Sequence, residues 1–180
     1  MSHIVVLGGA GLMGRTAVKD LAASDGVSRV TIADRDTELA KKVTGLIPDG
    51  GDKVEIVRVD ATEHEELVAA VRGADAVLNA VHYYFNMNVM HACLEADAHY
   101  TDLGGLFHTT RKQLALHELF AEAGLTAVLC VGSAPGVPNV QARYAADRLD
   151  TVESIRIYDG ILPTPGDDIR FGYAIPTIID

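Results

Sequence analysis

Short apolar runs alternate with segments of helical period along most of this chain. The runs predict six β-strands, at about 3–8, 29–34, 54–59, 75–81, 98–102 and 126–131. Each of the first five runs precedes a segment whose apolar residues recur with helical spacing. Strands that alternate with helices in this way are typical of a parallel sheet covered by helices. With right-handed crossovers, the pattern predicts an α/β fold of the Rossmann type, a doubly wound parallel sheet with strand order 3-2-1-4-5-6.

The pattern changes after Gly132, where two prolines interrupt the alternation. A helix is predicted over about 139–149, and residues 152–162 then alternate apolar and polar side chains. Such alternation favours an antiparallel strand with one solvent-exposed face. We therefore expect two units: a Rossmann domain over residues 1–132 and the truncated start of a second, α+β domain over residues 133–180.

The first predicted strand leads into a glycine-rich turn, Gly9-Ala10-Gly11-Leu12-Met13-Gly14, from which a helix begins. A strand before and a helix after are what this motif needs to bind a dinucleotide, whereas the glycine pattern alone is unspecific. Gly9 allows the tight turn, Gly11 lets the backbone approach the pyrophosphate, and Gly14 lets helix and strand pack closely. The N–H groups and positive dipole of the helix N-terminus attract the phosphates. The alternative, a tight turn that binds nothing, is disfavoured by this context.

An acidic residue ends the second predicted strand. Asp34 lies about 20 residues beyond Gly14, where a carboxylate binds the ribose hydroxyls of NAD. The same charge repels a 2′-phosphate, so Asp34 favours NAD as the cofactor. Arg35 follows directly and could stack on the adenine or bind a phosphate, which keeps NADP possible.

Asp60 and Ala61 close the third predicted strand and lie where the edge of the adenine is expected. A second interpretation is that this segment caps the next helix, because Thr62 and Glu65 have the spacing of a capping box. The residues alone favour neither interpretation over the other.

Polar and aromatic side chains follow the fourth and fifth predicted strands. Ligands of this fold bind beyond the carboxyl ends of the strands, so Ala80, with Gly104 or Gly105, would let a nicotinamide ring lie against the backbone. Each candidate for chemistry also has a structural alternative, since loop tyrosines usually pack and Asp102 could cap the next turn. The candidates for substrate binding or proton transfer are His82, Tyr83, Tyr84, Asp102 and His108.

Composition narrows the function classes. The net charge of −10 argues against nucleic acid and anionic membranes as partners, and no apolar run has the roughly 20 residues that span a bilayer. The N-terminus leads directly into a strand rather than a signal peptide.

Cys93 and Cys130 lie inside apolar patterns, as expected of reduced thiols in a cytoplasmic protein. No metal site is expected, because the histidines and acids lack ligand spacing. Ser133 lacks the G-x-S-x-G turn of hydrolases.

Four segments, in this order, carry a resemblance to a known family: VVLGGAGLMGR, NAVHYYFN, YTDLGG and GSAPGVPN. Together they resemble the saccharopine dehydrogenase family, and within it the lysine ε-dehydrogenases most closely. The resemblance implies NAD(P)-dependent oxidation of a carbon–nitrogen bond of an amino acid, with deamination of lysine at its ε-amine as the leading reaction. Two alternatives remain: a saccharopine- or carboxyspermidine-type reductase, or a non-catalytic NAD-binding domain if the chain truly ends at Asp180.

The resemblance also implies roles for individual residues. The dinucleotide would be held by Gly9, Gly11, Gly14 and Asp34. The nicotinamide and substrate cleft would be lined by Asn79, Ala80, Asp102, Leu103 and Gly104, while the family's tyrosine lies nearer Tyr83 than Tyr84. Members of the family are longer, and their second domain supplies substrate contacts and the dimer surface. We therefore expect a small-molecule amino-acid substrate and a homodimer for the full-length protein.

Overall fold

Six parallel strands form one sheet, in the order β3-β2-β1-β4-β5-β6, in the computed structural model, which describes residues 1–47 and 51–158. The strands are β1 (Ser2–Leu7), β2 (Val27–Asp34), β3 (Val54–Arg58), β4 (Ala76–Asn79), β5 (His99–Asp102) and β6 (Ala127–Val128). Each strand runs parallel to its neighbours. The predicted Rossmann-type sheet and its strand order are therefore confirmed.

Helices cover both faces of this sheet. They are α1 (Leu12–Ala23), α2 (Thr37–Thr44), α3 (His64–Val71), α4 (Asn86–Glu95), α5 (Phe107–Leu114), α6 (His117–Glu122) and α7 (Val137–Ala146). Buried residues of α1 and α2 pack on one face, and those of α3, α4 and α6 pack on the other. None of the helices over the described ranges is long and apolar enough to cross a membrane.

The central strand β1 is buried on both faces. Val6 packs in the cluster with α1 and α2, whereas Val5 and Leu7 pack in the cluster with α3 and α4. All three side chains have no exposed surface. Successive side chains of a strand point to opposite faces, so one short apolar run supplies both clusters. The turn after Leu7 therefore starts from a fixed point in the middle of the sheet.

Two strands end two or more residues earlier than the sequence predicts, and each end has a local cause. β4 stops at Asn79 because the Asn79 side chain folds over the next turn and its Oδ1 accepts the N–H of Val81 at 3.3 Å. β6 stops at Val128 because Cys130 adopts φ +62°, which an extended strand does not allow. Both early ends turn the chain into the loops at the carboxyl edge of the sheet.

The part of the chain after β6 differs from the prediction. α7 begins at Val137, about two residues before the predicted start. The predicted strand over 152–162 is wrong for residues 152–158, which form no strand and are exposed. A strand needs a hydrogen-bonding partner, and the described residues provide none beside this segment. The rest of that prediction lies outside the described residues, and a second domain over 133–180 stays a prediction.

The two cysteines are free thiols with different surroundings. Cys93, on α4, has no exposed surface, and its burial raises the pKa of the thiol to about 12. Cys130 follows β6 and is partly buried, with its Sγ 3.6 Å from the hydroxyl of Thr110.

We expect an alkylating reagent at about pH 8 to modify Cys130 first and to leave Cys93 unmodified in the folded protein, because the thiolate is the reactive form. Peptide mapping by mass spectrometry measures both sites. Protein unfolded in guanidinium is the control, in which both thiols should react at similar rates. Equal labelling of the two cysteines in the folded protein would contradict the burial of Cys93.

Candidate functional site

The turn between β1 and α1 is built from closely packed backbone. Gly8 adopts φ +73°, a left-handed conformation that favours glycine, and its N–H donates to Ala33 O at 2.9 Å. The N–H of Gly11 donates back to Gly8 O at 2.9 Å and closes the turn. The left-handed residue is therefore Gly8 and not Gly9, the residue expected to allow the turn. At Gly9 the space is limited instead, since a Cβ would lie 3.0 Å from Val6 O.

The first turn of α1 lies directly against this backbone. A Cβ at Gly14 would collide with Gly8 O, so the close packing predicted for Gly14 is what the structure shows. Gly11 is the N-cap, and no side chain of the described residues caps the helix. The N–H groups of the first turn have no intrahelical acceptors, which makes this helix end suitable for an anion. The side chains of Leu12 and Met13 are 50% and 47% exposed beside it.

Asp34, at the end of β2, holds the glycine turn in place. Its Oδ2 accepts the N–H of Ala10 at 3.0 Å, and its Oδ1 accepts the N–H of Asp36 at 3.0 Å. Each oxygen keeps a lone pair for a ribose hydroxyl. The sequence interpretation missed this bracing role, although β1 and β2 are neighbours in the predicted strand order and end at the same edge.

A cavity of about 340 Å³ opens between the carboxyl ends of β1, β2, β3 and β4. The strand order reverses between β1 and β4, which is where ligands bind in this fold. The cavity brings together these predicted cofactor residues: Gly11, Asp34, Arg35, Asp60, Ala61 and Ala80. Its lining does not include these others: Gly9, Leu12, Met13, Gly14 and Asn79.

Asp60 forms a turn before α3 and also lines the cavity. Its Oδ1 accepts the backbone N–H of Thr62 at 3.0 Å and the Thr62 hydroxyl at 2.8 Å. These hydrogen bonds from Thr62 hold the pKa of Asp60 below its ordinary value. The N-cap of α3 is Glu63, so the capping box suggested by Thr62 and Glu65 does not form. Asp60 therefore presents a carboxylate to the cavity beside Asp34.

Asn79 and Ala80 have different positions, although both were expected to line the cleft. The Asn79 side chain is 1% exposed, and its Nδ2 donates to Asn86 Oδ1 at 2.9 Å and to Tyr100 Oη at 3.2 Å. The Asn79 side chain thus fixes the start of α4 and does not line the cavity. Ala80 donates its N–H to Leu7 O at 2.9 Å and lines the cavity.

Asp102, at the end of β5, has no exposed surface. Its Oδ1 accepts the N–H groups of Gly104 and Cys130, each at 2.8 Å. Its Oδ2 accepts the Tyr100 hydroxyl at 2.9 Å and Gln113 Nε2 at 2.6 Å. The structure therefore leaves this carboxylate no surface for a substrate, and the predicted catalytic contact of Asp102 has no geometry to support it.

Three aromatic rings follow β4. The ring of His82 lies 4.3 Å from the rings of both Tyr83 and Tyr84, which are 4.7 Å apart. Tyr83 is buried and Tyr84 is 58% exposed. His82 Nδ1 accepts the N–H of Tyr84 at 3.4 Å, which places the proton of a neutral imidazole on Nε2. That Nε2 is buried and has no hydrogen-bond partner among the described residues. Proton transfer by these rings stays a prediction.

The loops that follow β4, β5 and β6 pack against one another. Gly105 lies against Tyr83, where an added Cβ would be 2.5 Å from the Tyr83 Cβ. Gly104, at φ +100°, lies against Pro135, where a Cβ would be 2.6 Å from Cγ. Three of the quoted sequence segments thus meet at the carboxyl edge of the sheet. We refer to these loops as the loop cluster, which comprises residues 80–85, 103–106 and 129–136.

One further candidate, His108, lies outside this arrangement. His108 is exposed in the first turn of α5. Over residues 1–47 and 51–158, no three side chains of histidine, cysteine, aspartate or glutamate are grouped as metal ligands.

Comparison with known proteins places this geometry among dinucleotide-binding domains. Residues 4–128 match the family model of the saccharopine dehydrogenase NADP-binding domain. The chain is similar to a carboxynorspermidine synthase of Vibrio cholerae, with 30% identity over 179 residues that cover 87% of this chain and 43% of that protein. It is also similar to a trans-acting enoyl reductase of Mycobacterium leprae, with 29% identity over 146 residues, 78% of this chain and 35% of that protein. The chain thus spans less than half the length of these relatives.

A solved structure shows the same fold. The structure of apo saccharopine dehydrogenase (L-Glu forming) from Saccharomyces cerevisiae superposes with a TM-score of 0.70 and 21% identity. The match covers 82% of this chain and 31% of the yeast chain. At this identity the likeness concerns the fold alone.

The packing at Gly14 leads to a direct test. We expect Gly14→Ala to lower the free energy of unfolding by about 1–3 kcal/mol, because the new Cβ would collide with the Gly8 carbonyl. The same displacement should weaken dinucleotide binding, measured by nicotinamide fluorescence alongside denaturant unfolding. Gly26→Ala is the matched control, since nothing lies within 4 Å of a Cβ there. A Gly14→Ala variant that binds and unfolds like Gly26→Ala would refute the close approach.

Proposed function

This chain belongs to the saccharopine dehydrogenase family, and from that membership we propose that it binds a nicotinamide dinucleotide for an oxidoreductase that acts on a carbon–nitrogen bond of an amino acid. The observation that carries the proposal is the glycine turn between β1 and α1. Its packed backbone and uncapped helix N-terminus lie beside a cavity at the strand ends. A helix end of this kind binds a pyrophosphate.

The described residues fit a dinucleotide in three parts. The pyrophosphate would lie at the start of α1, where the absence of a side chain at Gly11 leaves room for it. A Cβ at Gly11 would lie 3.1 Å from Gly8 O. The adenosine half would lie in the cavity beside Asp34 and Asp60. The nicotinamide half would extend past Ala80 toward the loop cluster. When bound, the cofactor donates or accepts a hydride, and the chain binds and orients it.

For the choice between the two cofactors, we propose that both NAD and NADP bind. We further propose that Arg35 determines the affinity for NADP relative to that for NAD. The carboxylate of Asp34 already accepts two backbone N–H groups, which offsets part of its negative charge toward a 2′-phosphate. The exposed guanidinium of Arg35 lines the same cavity. Arginine binds phosphate through charge-assisted hydrogen bonds. NAD, favoured by Asp34 on the sequence rule, stays the second cofactor of the proposal.

The bond that is oxidised or reduced is a separate question, because the relatives differ. The mycobacterial relative is named an enoyl reductase, so family membership by itself does not choose between carbon–carbon and carbon–nitrogen bonds. The Vibrio relative covers 87% of this chain against 78% for the mycobacterial one. The four segments that resemble amino-acid dehydrogenases point the same way. Both observations favour a carbon–nitrogen bond.

Two reactions on such a bond are candidates. The first is reductive joining of an amine to a keto or aldehyde co-substrate, favoured by the match to a carboxynorspermidine synthase. The second is oxidative deamination of lysine at the ε-amine, favoured by the likeness of the segments around Gly9, Tyr83 and Gly104 to lysine ε-dehydrogenases. In both reactions the hydride passes between the nicotinamide and the carbon that carries the nitrogen.

Absorbance of the reduced nicotinamide and release of ammonia separate these reactions in one set of assays. The protein is incubated with NAD⁺ or NADP⁺ and, in turn, saccharopine, carboxynorspermidine or lysine. Reductive joining run in reverse yields reduced cofactor, an amine and a carbonyl compound without ammonia, whereas lysine deamination yields ammonia in equal amount. If the protein reduces an enoyl substrate and turns over none of saccharopine, carboxynorspermidine or lysine, the carbon–nitrogen proposal is overturned. Binding of the cofactor without any turnover would favour a non-catalytic dinucleotide-binding domain.

The cofactor proposal predicts a selective effect at one arginine. We expect Arg35→Ala to weaken NADP binding by about tenfold to a hundredfold, because a charge-assisted hydrogen bond contributes about 1.5–3 kcal/mol, and to leave NAD binding almost unchanged. Titration calorimetry with each cofactor measures the ratio. Arg72→Ala is the control, because it removes the same charge from an exposed residue after α3, at the opposite edge of the sheet. An unchanged NADP-to-NAD ratio in Arg35→Ala would exclude Arg35 as the determinant.

A further inference from the structure

One buried carboxylate connects the loops on the nicotinamide side of the site. Asp102 Oδ1 accepts two backbone N–H groups at 2.8 Å, one from Gly104 in the loop after β5 and one from Cys130 in the loop after β6. Each N–H belongs to a loop with left-handed backbone, at φ +100° for Gly104 and +62° for Cys130. The same oxygen therefore fixes two irregular loops relative to the end of β5.

The second oxygen of Asp102 connects the same point to the helices and to β4. Oδ2 accepts Gln113 Nε2 at 2.6 Å from α5 and lies 3.4 Å from Asn86 Nδ2, the donor at the start of α4. Asn86 in turn accepts from Asn79, at the end of β4, at 2.9 Å. The loop after β4 lies between Asn79 and Asn86 in the chain. All three loops of the loop cluster are thus tied to one carboxylate.

The side chains around Asp102 are buried, and they supply its carboxylate with hydrogen-bond donors. The side chains of Asn79, Asn86 and Gln113 are each 1% exposed, and that of Tyr100 is 2% exposed. Burial, with Asp102 beside it, raises the pKa of Tyr100, so the phenol remains a hydrogen-bond donor to the carboxylate. A buried carboxylate is costly unless donors surround it, and an apolar side chain would fill the same space without that cost. The geometry of the loops, rather than burial alone, accounts for an acid at this place.

The loops are also in contact with one another, so a displacement of one moves the next. The backbone of Gly105 packs directly on the Tyr83 side chain, and the backbone of Gly104 packs directly on Pro135. Neither position has room for a Cβ. Tyr83 follows Ala80, which lines the dinucleotide cavity. A shift at Asp102 would therefore reach the end of the cavity next to β4, while the glycine turn and Asp34 belong to β1 and β2.

We propose that Asp102 is a positioning residue for the nicotinamide half of the cofactor: its carboxylate sets the relative positions of the three loops of the loop cluster and contacts neither cofactor nor substrate. This inference rests on the proposed dinucleotide site. It assigns the adenosine half to the glycine turn and Asp34, and the placement of the nicotinamide half to a buried network that has no surface in the cavity.

The test compares a whole cofactor with its adenosine part. ADP occupies the adenosine half alone, whereas NADPH also requires the nicotinamide half. Asp102→Ala removes both carboxylate oxygens, which accept from Gly104, Cys130, Tyr100 and Gln113. We expect about tenfold weaker NADPH binding, with ADP binding within about twofold of the unsubstituted protein. Asp102→Asn should restore most of the NADPH affinity. Its carbonyl oxygen can accept both backbone N–H groups, and its amide can donate to Gln113 or Tyr100 once those groups turn.

A control and a second variant keep the result decisive. Val71→Ala opens a cavity in the core at the end of α3, at the opposite edge of the sheet, and should leave the ratio of NADPH to ADP affinity unchanged. If Asp102→Ala does not fold, Gly105→Ala takes its place, because its Cβ would separate the β5 loop from Tyr83 and leave the carboxylate of Asp102 in place. It should also weaken NADPH binding by about tenfold and spare ADP.

Three outcomes overturn the inference in distinguishable ways. Equal losses of ADP and NADPH affinity in Asp102→Ala would show that the carboxylate supports only the overall fold. Unchanged NADPH affinity in Asp102→Ala or Gly105→Ala would show that the loop positions do not affect the nicotinamide half. Failure of the unsubstituted protein to bind either ligand would overturn the proposed function, and the inference with it.

Discussion

The first turn of α1 packs on the carbonyl of Gly8 at a separation that only a glycine at position 14 permits. Because of this contact, the helix begins after the short turn over residues 8–11, and its first N–H groups lie at the carboxyl edge of the sheet, next to the ends of β2, β3 and β4. Asp34 holds the turn from β2 through the N–H of Ala10. The rest of the site is arranged around this fixed turn, since the cavity lies where the strand order reverses beside it.

The two halves of the site are built by different means. At the ends of β2 and β3, charged side chains of Asp34, Arg35 and Asp60 reach the cavity. On the other side, glycine backbone, Tyr83 and Pro135 pack together above a fully buried polar network. Arg35 is exposed and can be exchanged with little effect on the fold, whereas Asp34 braces the glycine turn and the buried network couples several loops. A substitution at Arg35 is therefore expected to leave the geometry of the loop cluster unchanged.

Asp102 and Asn79 illustrate why position at a strand end is an incomplete guide to function. Both end short strands at the edge where ligands bind, and the sequence predicts chemistry at Asp102 and a place in the cofactor cleft for Asn79. In β5, however, Tyr100 and Asp102 are two residues apart and so share a face, the one covered by helices. Asn79 likewise turns inward to Asn86 and Tyr100. Side chains alternate along β5 between exposed, at His99, and buried, at Tyr100. Because Asp102 lies two residues after Tyr100, this alternation indicates that Asp102 is buried as well.

The sequence by itself determined the sheet order, the glycine turn and the strand-end position of Asp34 and Asp60, because these depend on local patterns: apolar periodicity, glycine spacing and the residue at each strand end. The tertiary structure alone decided that Gly8 carries the left-handed conformation, that Asp34 braces Ala10, and that Asp102 joins three loops. It also left residues 152–158 without the expected strand. Such features arise from contacts between segments far apart in the chain, and a local pattern carries no information about which donor meets which acceptor.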